Sequence, residues 1–303
     1  MTTLQNALYG VLLIGILGTF FTVSYSGGTD SVGATGPTNS DKGVGDQLPN
    51  VLFVIDTHER NYAGRVKDVR ESYLPRIREK QSTELMFVGS QMTDGSSDMY
   101  PSTCPVGREG SCKRVDIMII TSGVLRRPGM EKFEWILFAD DDAFLLPDNV
   151  QRVIMKGIEK EKDLTGVFAI KGCVHDSCSG ICGGGGYYMH KQTLFKIVDG
   201  GNKGRFPSIR DEAQFYDSKC GKAGDLTLAR AIEDFHGIPI KPYPAEGIYV
   251  WDIQGGDEGI IKTLKSTDPL PWFYHYPARG RFRQFQAWVD QFGSNKKFLE
   301  DTR

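Results

Sequence analysis

Apolar and polar positions alternate along this chain in two rhythms. VLFVID (51–56), LMFVG (85–89) and TGVFAIKG (165–172) are short apolar runs bounded by polar residues, the pattern of strands covered on both faces. EWILFADDD (134–142) predicts a further buried strand, and it ends abruptly on three carboxylates. Between these runs the spacing becomes helical. Residues 63–79 predict a helical stretch interrupted at Pro75, and Pro147 opens a helix through Val150, Val153, Ile154 and Ile158. YYMHKQTLFKIV (187–198) predicts a strand running into a helix, 225–240 a helix stopped at Gly237, and 281–292 another helix. VDIMIITSGVL (115–125) fits either helix or strand. Strands alternating with helices predict an α/β fold with a mostly parallel central sheet flanked by helices. Ligands of such sheets bind at the carboxyl ends of the strands, where the three aspartates fall.

The N-terminus has a different character. No Asp, Glu, Lys or Arg occurs before Asp30, and ALYGVLLIGILGTFFTVSY (7–25) would span about 28 Å as a helix, enough to cross a bilayer. It predicts an uncleaved signal-anchor behind a six-residue tail (1–6), with a cleaved signal peptide and a buried core helix as the competing readings. Residues 26–49, rich in Gly, Ser, Thr and Asp, predict a flexible stem, which leaves 50–303 as the functional, lumenal domain of a single-pass type II protein of the Golgi or ER membrane. The formal charge of -2 gives no overall field to attract a nucleic acid, so nucleic-acid partners are not expected. Six cysteines suit an oxidising lumen without requiring it. Cys104 and Cys112 flank a short Pro/Gly loop that a disulfide would close. Cys173, Cys178 and Cys182 beside His175 read either as disulfide partners, as free structural thiols or as a zinc site, although the usual paired two-residue spacing is missing.

Chemistry concentrates in few places. Asp140, Asp141 and Asp142 repel one another unless a cation or a donor-rich ligand offsets them, and hard oxygen donors select Mg²⁺ or Mn²⁺; the alternative is a solvated acidic turn capping the next helix. His275, in PWFYHYPARGRF, is either a metal ligand or a packed ring. Gly184 and Gly185, within the run 183–186, either permit close approach of backbone to a ligand or form a plain loop. Asp225 is either a helix cap or a general base for an incoming hydroxyl. Arg65 and Arg70 are surface charges or phosphate contacts.

Six segments taken in order resemble the β1,3-glycosyltransferase family that contains Fringe and the core 1 galactosyltransferase. They are RVKDVRESY (65–73), STCPVGREGSCKR (102–114), FADDDAFL (138–145), CGGGGYYMHKQTL (182–194), GDLTLARAIEDFHGIPI (224–240) and FYHYPARGRFRQFQAW (273–288). The resemblance implies a GT-A type, Rossmann-like nucleotide-sugar-binding domain and inverting transfer of a hexose from a UDP-sugar to a glycan or glycoprotein acceptor. Galactose is favoured and N-acetylglucosamine comes next. It further implies that Asp142 and His275 hold Mn²⁺ (or Mg²⁺), that Asp140 and Asp141 help hold the metal and the nucleotide ribose, and that Asp225 is the base. Arg65, Arg70, Gly184 and Gly185 would contact the nucleotide-sugar, and Cys104 would pair with Cys112. Three features depart from the family pattern. Gly224 stands where an acidic residue usually precedes the base, so a shift of that role to Asp211, Glu212 or Asp217 stays open. Tyr73 replaces a tryptophan, and Leu137 and Leu226 replace a cysteine pair. A Fringe-like O-fucose N-acetylglucosaminyltransferase, a glycan-binding pseudoenzyme and a metal-dependent phosphohydrolase are the competing readings.

Overall fold

The computed structural model describes residues 48–104, 110–161, 163–169, 171–175, 178–182, 186–200, 206–221, 223–242, 249–250, 256–266, 273–275 and 282–293. The strands in chain order are β1 (Val51–Asp56), β2 (Thr83–Val88), β3 (Met99–Tyr100), β4 (Trp135–Asp140), β5 (Ala143–Leu145), β6 (Val167–Ala169), β7 (Lys171–His175), β8 (Cys178–Ile181), β9 (Tyr187–His190), β10 (Ile240–Pro242), β11 (Tyr249–Val250) and β12 (Phe273–His275). The helices are α1 (Lys67–Glu71), α2 (Leu74–Arg78), α3 (Gly110–Leu125), α4 (Pro147–Lys160), α5 (Lys191–Asp199), α6 (Ile209–Asp217), α7 (Gly224–His236), α8 (Gly256–Ser266) and α9 (Phe282–Gly293).

Among the described residues, seven strands form the central sheet in the order β10-β6-β9-β4-β1-β2-β3. All neighbours are parallel except β9, which runs against both β4 and β6. The sheet is a mixed α/β sheet, mainly parallel, as the alternation of elements predicts. After β1 the chain steps outward to β2 and β3, then returns through α3 to place β4 on the other side of β1. Connections thus leave β1 and β4 in opposite directions, the topology at whose carboxyl strand ends ligands of open α/β sheets bind. Asp56 and the three aspartates fall at those ends.

Alternate residues of each strand feed two cores. Val51, Phe53 and Ile55 pack on one side with residues of α1, α2, α4, α8 and α9; Leu52 and Val54 pack on the other with residues of α3, α5, α6 and α7. The segment 115–125, ambiguous in sequence, is helical and belongs to α3. It lies between the sheet and other helices, so it is apolar around most of its circumference and shows no single stripe. The helical break expected at Pro75 falls instead at Ser72 and Tyr73, and Pro75 sits in the first turn of α2, where its missing N–H costs nothing.

Disulfides join Cys104 to Cys112, Cys173 to Cys182 and Cys178 to Cys220. The zinc reading of the cluster around His175 is therefore overturned, because a sulfur committed to a disulfide offers no thiolate to a metal. Among the described residues no helix is long and apolar enough to cross a membrane; the expected anchor (7–25) lies outside them.

Candidate active site

Two strands end side by side on carboxylates. Asp56 closes β1 and Asp140 closes β4, and the two are register partners. The backbone N–H of Asp141 donates to the carbonyl of Asp56 at 3.0 Å, which fixes the start of the acidic turn against β1. The three aspartates then point to different tasks. Asp141 is buried and engaged through both oxygens: Oδ2 accepts from Thr57 Oγ1 (2.6 Å) and Asn61 Nδ2 (2.7 Å), and Oδ1 from Arg65 Nη1 (3.0 Å). It fastens the loop after β1 to the turn. Asp142 also accepts from Arg65 Nη1, at 3.1 Å. Asp140 receives two bonds from Arg114, from Nη1 at 2.7 Å and from Nη2 at 3.2 Å.

Arg114 is the hub of the site, and sequence reasoning assigned it no role. Beyond Asp140 its Nη1 lies 3.0 Å from Asp56 Oδ2, and its Nε lies 2.7 Å from Asp225 Oδ1. Neighbouring Lys113, also buried, pairs with Asp56 at 2.7 Å and donates to the carbonyl of Thr57. Burial works against the charge of Arg114, but the carboxylates of Asp140, Asp225 and Asp56 outweigh it and hold the guanidinium protonated. Asp225 therefore does not cap α7. The N-cap is Ala223, with no side-chain cap bond, and the Asp225 side chain reaches Arg114 instead. Burial raises the Asp225 carboxyl to about 6; Arg114 opposes the rise, and Asp140 and Asp56 add to it. Burial likewise raises Asp56.

Helix ends help to hold so much negative charge. A Cβ on Gly224 would lie 2.6 Å from the carbonyl oxygen of Gly110, so the first turns of α7 and α3 touch, and two partially positive N-termini meet beside the cluster. That contact leaves no room for a side chain at position 224. Gly224→Glu is expected to lower unfolding stability by about 1–3 kcal/mol, the usual cost of overpacking against an unyielding neighbour. A urea melt checks it; an unchanged midpoint would show that the helices part easily. Of the other acids considered for the base, Asp211 is bonded to Ser208 and Glu212 to His236, whereas Asp225 reaches the strand ends.

Arg65 and Arg70 part company. Arg65 reaches Asp141 and Asp142, but Arg70 is bound by Asp94 and Asp98, both at 2.5 Å, and by Ser96, in the loop between β2 and β3. Its charge is thus already offset by the protein, and the structure does not bring it to the aspartate cluster. Tyr73, in the position of the usual tryptophan, is fully buried and donates to the carbonyl of Ala143 at 3.1 Å, tying the Arg65 segment to the strand after the aspartates. His275 is brought near through the backbone: in the antiparallel pair of β12 with β5 it is the register partner of Ala143, the residue after Asp142. Its side chain, and Gly184 and Gly185, lie outside the described residues. Tyr187, just after the glycine run, is buried within electrostatic reach of Arg114, Asp225, Asp56 and Asp140.

Asp56, Asp140, Asp141, Asp142 and Asp225 face Arg65, Lys113 and Arg114, a formal excess of two negative charges. Among the described residues no three His, Cys, Asp or Glu side chains converge as a metal cage. A divalent cation that carries a diphosphate needs none, because it takes one or two protein ligands and completes its shell with phosphate oxygens and water. The oxygen donors and the charge excess fit such an ion.

No protein-family profile matches the chain, and no curated protein matches it in sequence. Among solved structures it is similar to a glycosyltransferase involved in the glycosylation of the major capsid of PBCV-1, at 12% identity and a TM-score of 0.44, over 78% of this chain and 99% of that one. It is also similar to the galactosyltransferase LgtC in complex with donor and acceptor sugar analogs, at 10% identity and a TM-score of 0.40, over 81% of this chain and 98% of that one. At these values the likeness is loose, and the functional reading rests on the residues themselves.

Proposed function

We propose that the chain is a metal-dependent, inverting glycosyltransferase that moves a hexose from a UDP-sugar to a hydroxyl of a glycan or glycoprotein. The observation that carries this reading is the pairing of Asp225, a carboxylate raised to about 6, with Asp56 and Asp140 at the strand ends through one guanidinium. A base of that kind beside a nucleotide-binding crevice suits proton removal from an alcohol near neutral pH. The acceptor hydroxyl gives its proton to Asp225 as its oxygen attacks the anomeric carbon. The bond to UDP breaks on the opposite face of the sugar, its electron pair leaves on the diphosphate, and the configuration inverts. Asp142 and His275 would hold the divalent cation, Mn²⁺ or Mg²⁺, which supplies charge stabilisation to the departing diphosphate. Arg65, which donates to Asp142, would hold that carboxylate in place for the ion.

The motif order favours a β1,3 linkage, with galactose as donor sugar and an N-acetylgalactosaminide as acceptor; N-acetylglucosamine onto fucose is the second choice. Three disulfides together with the apolar segment 7–25 support a type II protein of the Golgi or ER membrane, whose lumen is oxidising. The test is UDP release by the purified full-length chain against a panel of UDP-sugars and O-glycan acceptors, with Mn²⁺ or with EDTA. Metal-dependent release that rises on addition of one acceptor is expected. Release of inorganic phosphate from UDP-sugars without an acceptor would favour a phosphohydrolase, and UDP binding without turnover by any pair a pseudoenzyme.

A further inference from the structure

The base and the nucleotide-binding strand ends belong to different parts of the chain, and one side chain spans them. Arg114 stands in the second turn of α3, and its side chain is only 17% exposed. Each of its three nitrogens has a carboxylate partner: Nε takes Asp225, Nη1 takes Asp56 and Asp140, and Nη2 takes Asp140. The contact with Asp225 is an ion pair to Oδ1, a buried oxygen that accepts no hydrogen bond from the described residues, while the Asp225 side chain as a whole keeps 23% exposure. The carboxylate is thus held by its inner oxygen and open at its outer edge.

Resting on the glycosyltransferase reading above, we infer that Arg114 is the positioning residue of the transfer site: it locks the base Asp225 to the ends of β1 and β4, so that the acceptor hydroxyl is activated at a fixed distance from the donor sugar. Charge alone does not describe the role. Lysine carries the same charge, but a single ammonium cannot reach three carboxylates at once as the spread nitrogens of a guanidinium do. The position of the base relative to the donor, not the affinity for UDP, is what depends on this fork.

The experiment uses the full-length chain with a donor–acceptor pair that the wild type turns over. Arg114→Ala is expected to lower kcat about 100-fold, the scale of a misplaced catalytic group, with the Kd for UDP unchanged. Arg114→Lys is expected to recover less than a tenth of the loss. Added methylguanidinium, which restores the planar fork without the tether, is expected to raise kcat of Arg114→Ala at least tenfold and to leave the wild type unchanged. Because Arg114→Ala leaves buried carboxylates short of a cation, Arg114→Ala with Asp56→Asn, which keeps the formal charge of the cluster, is compared with Asp56→Asn alone if the single variant does not fold. The proposal is overturned by an unchanged kcat, by UDP affinity falling in step with kcat, or by full recovery with lysine. A wild-type chain that transfers nothing overturns the function reading itself and takes this proposal with it.

Discussion

Asp225→Asn is expected to lower kcat about 1,000-fold while leaving the Kd for UDP within a factor of two, within the range that general-base catalysis supplies. The substitution is nearly isosteric, so the packing of α3 against α7 should persist although the ion pair with Arg114 is lost. What disappears is the site that takes the proton. The same group sets the pH dependence. Burial raises its carboxyl to about 6, against the pull of Arg114, and only the unprotonated form accepts a proton. The wild-type kcat/KM should therefore climb about tenfold per pH unit on the acid side, bend near pH 6 and level off above it. In Asp225→Asn the residual rate should lose that bend. A variant that keeps both the rate and the bend would remove Asp225 from the mechanism and return attention to Asp217, the remaining acid of the three alternatives whose partners do not already commit it elsewhere.

The strand ends were legible in sequence because the physics that makes them is local. An apolar run that stops on an acid marks a buried strand reaching the sheet edge, and WILFAD and VLFVID have the same form. Only the first drew notice, since two more aspartates follow it. The role of Arg114 was not legible, because its partners come from β1, β4 and α7, and a residue in the second turn of a helix carries no local mark of contacts 26 to 111 positions away. Arg65 and Arg70 form an intermediate case. Five residues on a helix rotate the side chain by about 140°, so one face could not serve both, yet the spacing does not say which arginine meets the aspartates. Segment 115–125 resisted assignment for the opposite reason: it is covered on too many sides to show a stripe. Six cysteines allow 15 pairings, and only the short Pro/Gly loop between Cys104 and Cys112 singled one out.

Loss of the Cys178–Cys220 bridge, as a Cys178→Ala/Cys220→Ala pair, should reduce unfolding stability by about 4 kcal/mol, and loss of Cys104–Cys112 by about 2.5 kcal/mol. The ranking follows from loop length: the first bridge closes a separation of 42 residues and the second one of 8, so the first restricts the unfolded chain more. Urea melts of the two paired variants measure both. Equal losses would mean that native packing, not chain entropy, decides the effect. Packing also gives the longer bridge a second consequence. Cys178, Cys220 and Leu226 form a buried cluster, and the carbonyl of Cys220 accepts from the N–H of Ala223, the N-cap of α7. The bridge thus ties the β7–β8 hairpin to the turn that carries Asp225. Leu226 packs against this bridge in the same buried cluster. Under conditions where the Cys178→Ala/Cys220→Ala variant remains folded, kcat should fall more than UDP affinity, because the displaced group is the proposed base, Asp225. The Cys104→Ala/Cys112→Ala variant, altered beside Arg114 at the start of α3, should likewise lower kcat more than UDP affinity, since Arg114 is the contact through which Asp225 is held.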